Sequence, residues 1–258
     1  MKAVLVALVL MAYAFIFAPL LVVVVVSLNG GTVASFPIES WSFRWYGAAF
    51  ANASFLNGLW TSTWLAVSCT IVAMPLALMA ALALSKVEFA GKSAVEALLM
   101  APLLVPGIVI GIALLLSASL IEVRNAPMRL LAAHVLIALP YCLRTITASL
   151  ARMDGSLIDC AMSLGASRWR AFIHVTVPLL RPGIMAGMIF AFLQSFGDVP
   201  VSLFLTDARN NTLPLAIMAY LEYGVDPSVA AMSSIVTVSS LALAVGLERL
   251  VGLRRAVG

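Results

Sequence analysis

Residues 151–182 read ARMDGSLIDC AMSLGASRWR AFIHVTVPLL RP and separate two long apolar runs. Connections between elements are usually a few polar residues, yet this one carries helical patterning of its own. Leu157, Ile158, Ala161, Met162 and Leu164 fall at helical spacing. Ser156 with Asp159 three residues on fits a capping box, so a helix is predicted to begin near Leu157, with Gly165 as its natural stop. A helix of about eight residues is marginal in water, where about 12 are needed for it to persist alone. The segment therefore calls for a partner surface. A second short helix is predicted from Ser167, carrying Trp169, Phe172 and Ile173 and ending at Pro178, whose ring blocks continuation.

Outward from this segment the chain is apolar almost throughout. Of its 258 residues 63% are hydrophobic and 10% charged, against about a quarter charged in an average soluble domain. So few charges cannot furnish the polar shell of a soluble fold, and the bilayer must be the solvent. A membrane helix needs about 20 apolar residues. Charge-poor runs of that length predict an all-α protein with six transmembrane helices in a single domain over 1–258, at 3–28, 57–84, 97–121, 129–150, 183–206 and 227–247. The first is read as a retained span. Its apolar run exceeds the roughly 7–15 residues of a signal peptide, and no small-x-small cleavage site precedes Asn29-Gly30-Gly31. Phe36-Pro37 and residues 41–50 read as an interfacial segment. Pro102, Pro106 and Gly107 interrupt the third span, and Asp198 lies inside the fifth.

Orientation follows from the basic residues. With the N-terminus inside, Lys2, Lys86, Lys92, Arg144, Arg152, Arg168, Arg170, Arg181, Arg249, Arg254 and Arg255 fall on the cytoplasmic side, against Arg44, Arg124, Arg129 and Arg209 outside. Cytoplasmic loops carry the Lys/Arg excess, so both termini are expected in the cytoplasm. Cys69, Cys142 and Cys160 show no metal or disulfide spacing and are read as small packing residues.

The run Asp159-Cys160-Ala161, three residues, Gly165, nine residues, then Val175-Thr176-Val177-Pro178 resembles the cytoplasmic signature loop of bacterial ABC importer permeases. The family pattern has Glu-Ala-Ala, Gly and Ile-x-Leu-Pro at the same spacing. This chain substitutes Asp for Glu, Cys for the first Ala, and Val at both aliphatic positions. Pro102-Leu103-Leu104-Val105-Pro106-Gly107-Ile108-Val109-Ile110-Gly111, Leu139-Pro140-Tyr141-Cys142-Leu143-Arg144-Thr145, Leu213-Pro214 and Asp226-Pro227-Ser228-Val229-Ala230-Ala231 resemble the spermidine/putrescine branch.

The resemblance implies a MetI-like type I bundle in the bacterial inner membrane, acting as a non-enzymatic permease subunit. Its implied partners are two cytosolic ATPases, a second permease expected to be a distinct, longer homologue, and an external substrate-binding protein. It implies no cofactor on this chain, with ATP and Mg used by the ATPases. The implied coupling residues are Leu157, Ile158, Asp159, Ala161, Met162, Leu164, Gly165, Ala166, Ser167 and Arg168. Asp159 is either a cap alone or also a docking residue. The implied cargo is a small organic cation such as spermidine or putrescine, with ferric iron, thiamine or a phosphonate as alternatives.

An intramembrane carboxylate is costly unless it meets water, a cation or a partner, so Asp198 is a pathway candidate with neighbouring Phe196. Gly197 stands where the polyamine branch often has a second acid. Asp198 bonding to the second permease is the competing reading. Tyr220, Glu222, Tyr223 and Asp226 combine aromatic faces and carboxylates, which suits ammonium groups, an interfacial belt or the binding protein. Gly107/Gly111 and Gly183/Gly187 permit close helix approach, within the bundle or at the permease pair.

Other signals do not extend to a site. Gly91-Lys92-Ser93 resembles the end of a P-loop, but the first glycine would fall at Lys86, and the chain is expected not to bind ATP. Arg144 near a cytoplasmic helix end reads as snorkelling. His134 and His174 have no ligand-spaced partners. Neither a Gly-x-Ser-x-Gly nucleophile nor a basic-aromatic nucleic-acid groove is present. An autonomous channel or secondary transporter would need a chain of buried ionisable groups, and Asp198 stands nearly alone.

Overall fold

The computed structural model describes residues 2–32, 38, 40–223 and 227–251. Among them the chain is helical: α1 (Lys2–Val26), α2 (Arg44–Ala51), α3 (Ala53–Lys86), α4 (Lys92–Met100), α5 (Gly107–Leu120), α6 (Ala126–Leu150), α7 (Ser156–Ser163), α8 (Arg168–Ala171), α9 (Val177–Phe196), α10 (Ser202–Leu205), α11 (Leu213–Tyr223) and α12 (Pro227–Val251). Five helical stretches among the described residues are long and apolar enough to cross a membrane, and a bent pair counts as a sixth if taken as one span. The chain divides into two compact units, Met1–Leu59 with Thr212–Leu243, and Trp60–Asn211 with Ala244–Gly258.

In the first unit, α1 is exposed along most of its length. The interfacial segment predicted at 41–50 forms α2, tied back by Gly30 N–H to the Ser40 carbonyl at 2.7 Å, Ser42 N–H to the Leu28 carbonyl at 2.8 Å, and Ser27 Oγ with the Tyr46 hydroxyl at 2.7 Å. Phe36 and Pro37 lie outside the described residues. Phe55 is fully buried, with its ring edge-on to Tyr220 at 5.1 Å. A β-carbon on Gly58 would stand 2.9 Å from Leu213 Cα, so only glycine admits α11 this closely.

The second unit holds the larger core. Cys69, Ala73, Ala77 and Ala81 make a buried stripe of small side chains along α3, packed with Ala138, Cys142, Leu143 and Ile146 of α6 and Leu180 and Ala191 of α9. In lipid no hydrophobic force draws apolar helices together, so close packing and hydrogen bonds must, and small residues let backbones approach. Gly183 and Gly187 do this for α6 and α9. A β-carbon on Gly183 would clash with Ser149 Oγ and sit 2.7 Å from the Thr145 carbonyl oxygen; one on Gly187 would lie 3.2 Å from Cys142 Cα. Both glycine pairs, this one and Gly107/Gly111, thus serve contacts inside the chain.

Three sequence expectations are corrected. The third span is not one helix over 97–121. It breaks after a 3₁₀ turn at Ala101–Leu103, and the flanking helices meet at 104°. Pro102 and Pro106 remove two amide donors there, and α5 alone, about 21 Å long, falls short of the roughly 30 Å hydrocarbon core. The short helix from Ser167 does not end at Pro178. Residues Phe172–Thr176 form a π-helical turn, with Val177 N–H bonded to the Phe172 carbonyl, and α9 continues through Pro178 and Pro182. The wider turn accommodates a proline that an unbroken α-helix would reject. Finally, the fifth span ends at Phe196 instead of running to 206, and Asp198 lies in the break between α9 and α10.

Candidate functional site

The short helix predicted to begin near Leu157 forms as α7, with none of its residues buried. Its cap differs from expectation. Ser156 and Asp159 make no capping box; Asp154 Oδ1, two residues upstream, accepts the Ser156 amide at 2.9 Å. The Ser156 donors hold the Asp154 carboxyl below the ordinary carboxylate range. Asp159 is left exposed in the first turn, where its charge complements the helix dipole.

The stop is at Gly165, as predicted. Gly165 N–H bonds the Met162 carbonyl at 3.0 Å and Ala166 N–H bonds the Ala161 carbonyl at 3.0 Å, the paired bonds of a Schellman motif. Gly165 takes φ +91°, a region other residues enter only with strain. Ser167 then caps α8, accepting the Arg170 amide at 3.3 Å. Ile158 and Ala161 are half-buried, and α7 leans on the π-helical turn. Leu157 (45% exposed), Met162 (38%) and Leu164 (85%) face outward, with Arg168 exposed beside them. Trp169 stacks on Phe172 at 5.5 Å while remaining mostly exposed. An eight-residue helix thus presents apolar side chains outside its own fold, as a docking element does.

The second candidate site is built from the two breaks. Pro102, Leu103 and Val105 from one, and Gly197, Asp198 and Pro200 from the other, line a cavity of about 340 Å³ with Tyr141 of α6 and Gln194 of α9. Glycines bring these breaks together. A β-carbon on Gly107 would stand 2.9 Å from Pro200 Cβ, and one on Gly111 would stand 3.1 Å from the Pro200 carbonyl oxygen. Asp198 is buried, and its Oδ2 accepts from Val201 N–H at 3.2 Å, Ser202 N–H at 2.8 Å and Ser202 Oγ at 2.9 Å. It caps α10 in doing so. None of the described residues donates to its Oδ1.

Behind Asp198 lies a polar chain that sequence reading missed. His134 of α6 is fully buried, with Nδ1 2.8 Å from Ser195 Oγ and Nε2 3.0 Å from Ser202 Oγ. These partners are 61 and 68 residues away in sequence, so local spacing carried no signal. The signal available was His134 itself, since an imidazole in mid-span needs polar partners. Phe196 stacks on Phe192 at 5.7 Å and is not among the cavity's lining residues. Tyr220 is half-buried against Phe55, and Glu222 is exposed. The side chain of Tyr223, and all of Asp226, lie outside the described residues.

Comparison with known proteins adds the following. Residues 73–254 match the family model described as "Binding-protein-dependent transport system inner membrane component". The chain is 27% identical over 234 residues to the putrescine transport system permease protein PotI of Escherichia coli (strain K12), covering 88% of this chain and 83% of that one. It is 30% identical over 226 residues to the spermidine/putrescine transport system permease protein PotC of the same organism, covering 87% and 84%. Among solved structures, a chain of the bacterial alginate ABC transporter in complex with alginate pentasaccharide-bound periplasmic protein matches with a TM-score of 0.73 at 14% identity, covering 96% of this chain and 92% of that one. At that identity the likeness concerns the fold.

Proposed function

From the premise that the chain belongs to the binding-protein-dependent transport system inner membrane component family, and is therefore an ABC importer permease subunit of the MetI-like fold, we propose that its cargo is a polyamine, moved past Asp198. The observation that carries the cargo reading is the buried carboxylate of Asp198 on the wall of a 340 Å³ cavity. Its Oδ2 is taken up by the protein while Oδ1 receives no donor from the described residues. A carboxylate kept at such a place attracts cations and repels anions. The names of the relatives PotI and PotC point to the same chemistry.

In this reading two cytosolic ATPases use ATP and Mg and supply the stroke. Each grips a lever like α7 through Leu157, Ile158, Ala161, Met162 and Leu164, with Asp159, Gly165, Ala166, Ser167 and Arg168 at its ends. This chain hydrolyses nothing itself. A second, distinct permease completes the pathway, and an external binding protein delivers cargo near the segment of Tyr220, Glu222 and Tyr223. Both termini lie in the cytoplasm in this reading, which the excess of basic residues on that side supports. Closing of the ATPases draws the levers together and rocks the spans between inward- and outward-open states, the differential contact energy at α7 deciding which state is favoured.

The test is reconstitution of the whole importer in proteoliposomes. ATP-dependent uptake of labelled putrescine, competed by spermidine and unaffected by thiamine, is expected. Competition by thiamine, ferric complexes or phosphonates in place of spermidine would reassign the cargo, and uptake by this chain alone without ATP would make it a channel.

A further inference from the structure

We infer that His134 is a positioning residue for Asp198, acting through the Ser202 hydroxyl so that the break after α9 presents one fixed carboxylate oxygen to the cavity. The inference rests on the cation-pathway reading above. Its ground is the direction of the hydrogen bonds. Ser202 Oγ gives its single hydrogen to Asp198 Oδ2 at 2.9 Å, so toward the imidazole it can only accept. His134 Nε2, 3.0 Å away, must then carry the proton and donate. In the neutral ring that tautomer makes Nδ1 an acceptor, and Ser195 Oγ donates to it at 2.8 Å. Every hydrogen in the chain Ser195, His134, Ser202, Asp198 therefore points toward the carboxylate.

The geometry assigns the chain a task. His134 Nε2 lies 3.9 Å from Asp198 Oδ2, too far for a direct bond, so Ser202 is the relay. Ser195 sits in the last turn of α9 and Ser202 opens α10, so one ring pins both sides of the break at 197–201. With Oδ2 fully engaged, the carboxylate has a single rotational setting, and Oδ1 is the oxygen left for an ammonium group.

The test is a double-mutant cycle in the reconstituted importer, reading putrescine moved per ATP hydrolysed in complexes matched for subunit stoichiometry. His134→Leu is expected to lower this ratio about fivefold, the worth of the one neutral hydrogen bond that His134 gives Ser202. Ser202→Ala, which spares the ring and the backbone cap, should do the same and stands in if His134→Leu fails to assemble. His134→Gln, whose amide can still donate to Ser202, should recover part of the loss. In an Asp198→Asn background neither change should lower the ratio further, because the oxygen being positioned no longer carries charge. A packing role for His134 would instead persist undiminished in that background, and additive losses overturn the inference. So does an unchanged ratio in both Ser202→Ala and any assembled His134→Leu complex. A wild-type ratio for Asp198→Asn alone strikes the cation-pathway reading itself, which is a separate result.

Discussion

Gly165→Val is expected to cut ATP-driven uptake about five- to thirtyfold while the chain still inserts, because strain of about 1–2 kcal/mol shifts a two-state equilibrium by that factor. The cause is conformational. Gly165 holds φ +91°, and a β-carbon there would meet nothing within 4 Å, so valine is excluded by its backbone preference and not by crowding within this chain. The paired bonds from Gly165 and Ala166 close the last turn of α7, and an eight-residue helix has no reserve with which to lose them. ATP hydrolysis should continue without transport, which is the signature of an uncoupled lever. Gly165→Asn, which tolerates the left-handed region, should keep most of the uptake. Vesicle uptake beside phosphate release measures both. Unchanged uptake in the valine variant would remove the lever from the mechanism; loss in both variants would place the partner's surface against Gly165.

Asp198→Asn and Asp198→Ala are expected to separate charge from architecture. Asparagine keeps an oxygen able to accept from the Val201 and Ser202 amides, so α10 stays capped while the negative charge is lost. Uptake should fall at least about tenfold, corresponding to one charge-assisted contact with an ammonium group, with the complex assembling normally. Alanine removes the cap too and leaves the Ser202 hydroxyl without its acceptor in a buried site, adding about 1–3 kcal/mol of destabilisation. Thermal unfolding in detergent should therefore drop for alanine more than for asparagine. Equal uptake by Asp198→Asn and wild type would take Asp198 out of the pathway and leave it a helix cap.

The contrast between these two sites shows what sequence carries. The long apolar spans, five among the described residues and a sixth if the bent pair is taken as one, followed from charge-poor run length, which the thickness of the bilayer dictates. The short helix α7 followed from local patterning, since the apolar spacing and the glycine stop lie within nine consecutive residues. The cap was misplaced because Asp154 and Asp159, two residues before and three after Ser156, are both spaced in sequence to accept its amide, and only the backbone path selects Asp154. The breaks were harder. Pro102, Pro106 and Pro200 mark where amides are missing, but prolines at 75, 140, 178 and 182 sit inside helices of the same chain. Whether a proline bends, breaks or is absorbed by a π-helical turn depends on what packs beside it. The partners of Gly183 and Gly187 were equally unreadable, as small residues admit any close neighbour. His134 was least legible of all, because its meaning lies in two serines on another helix and beyond its break.

The central claim, that α7 is gripped by an ATPase on another polypeptide, can be tested with the chain's own cysteines. Cys160 on α7 is exposed, while Cys69 and Cys142 are buried. A bulky, membrane-impermeant maleimide added to inside-out vesicles should label Cys160 rapidly in the permease pair alone and slowly once the ATPases are bound, with no labelling in right-side-out vesicles. Equal labelling with and without the ATPases, or labelling from the outside, would contradict the account.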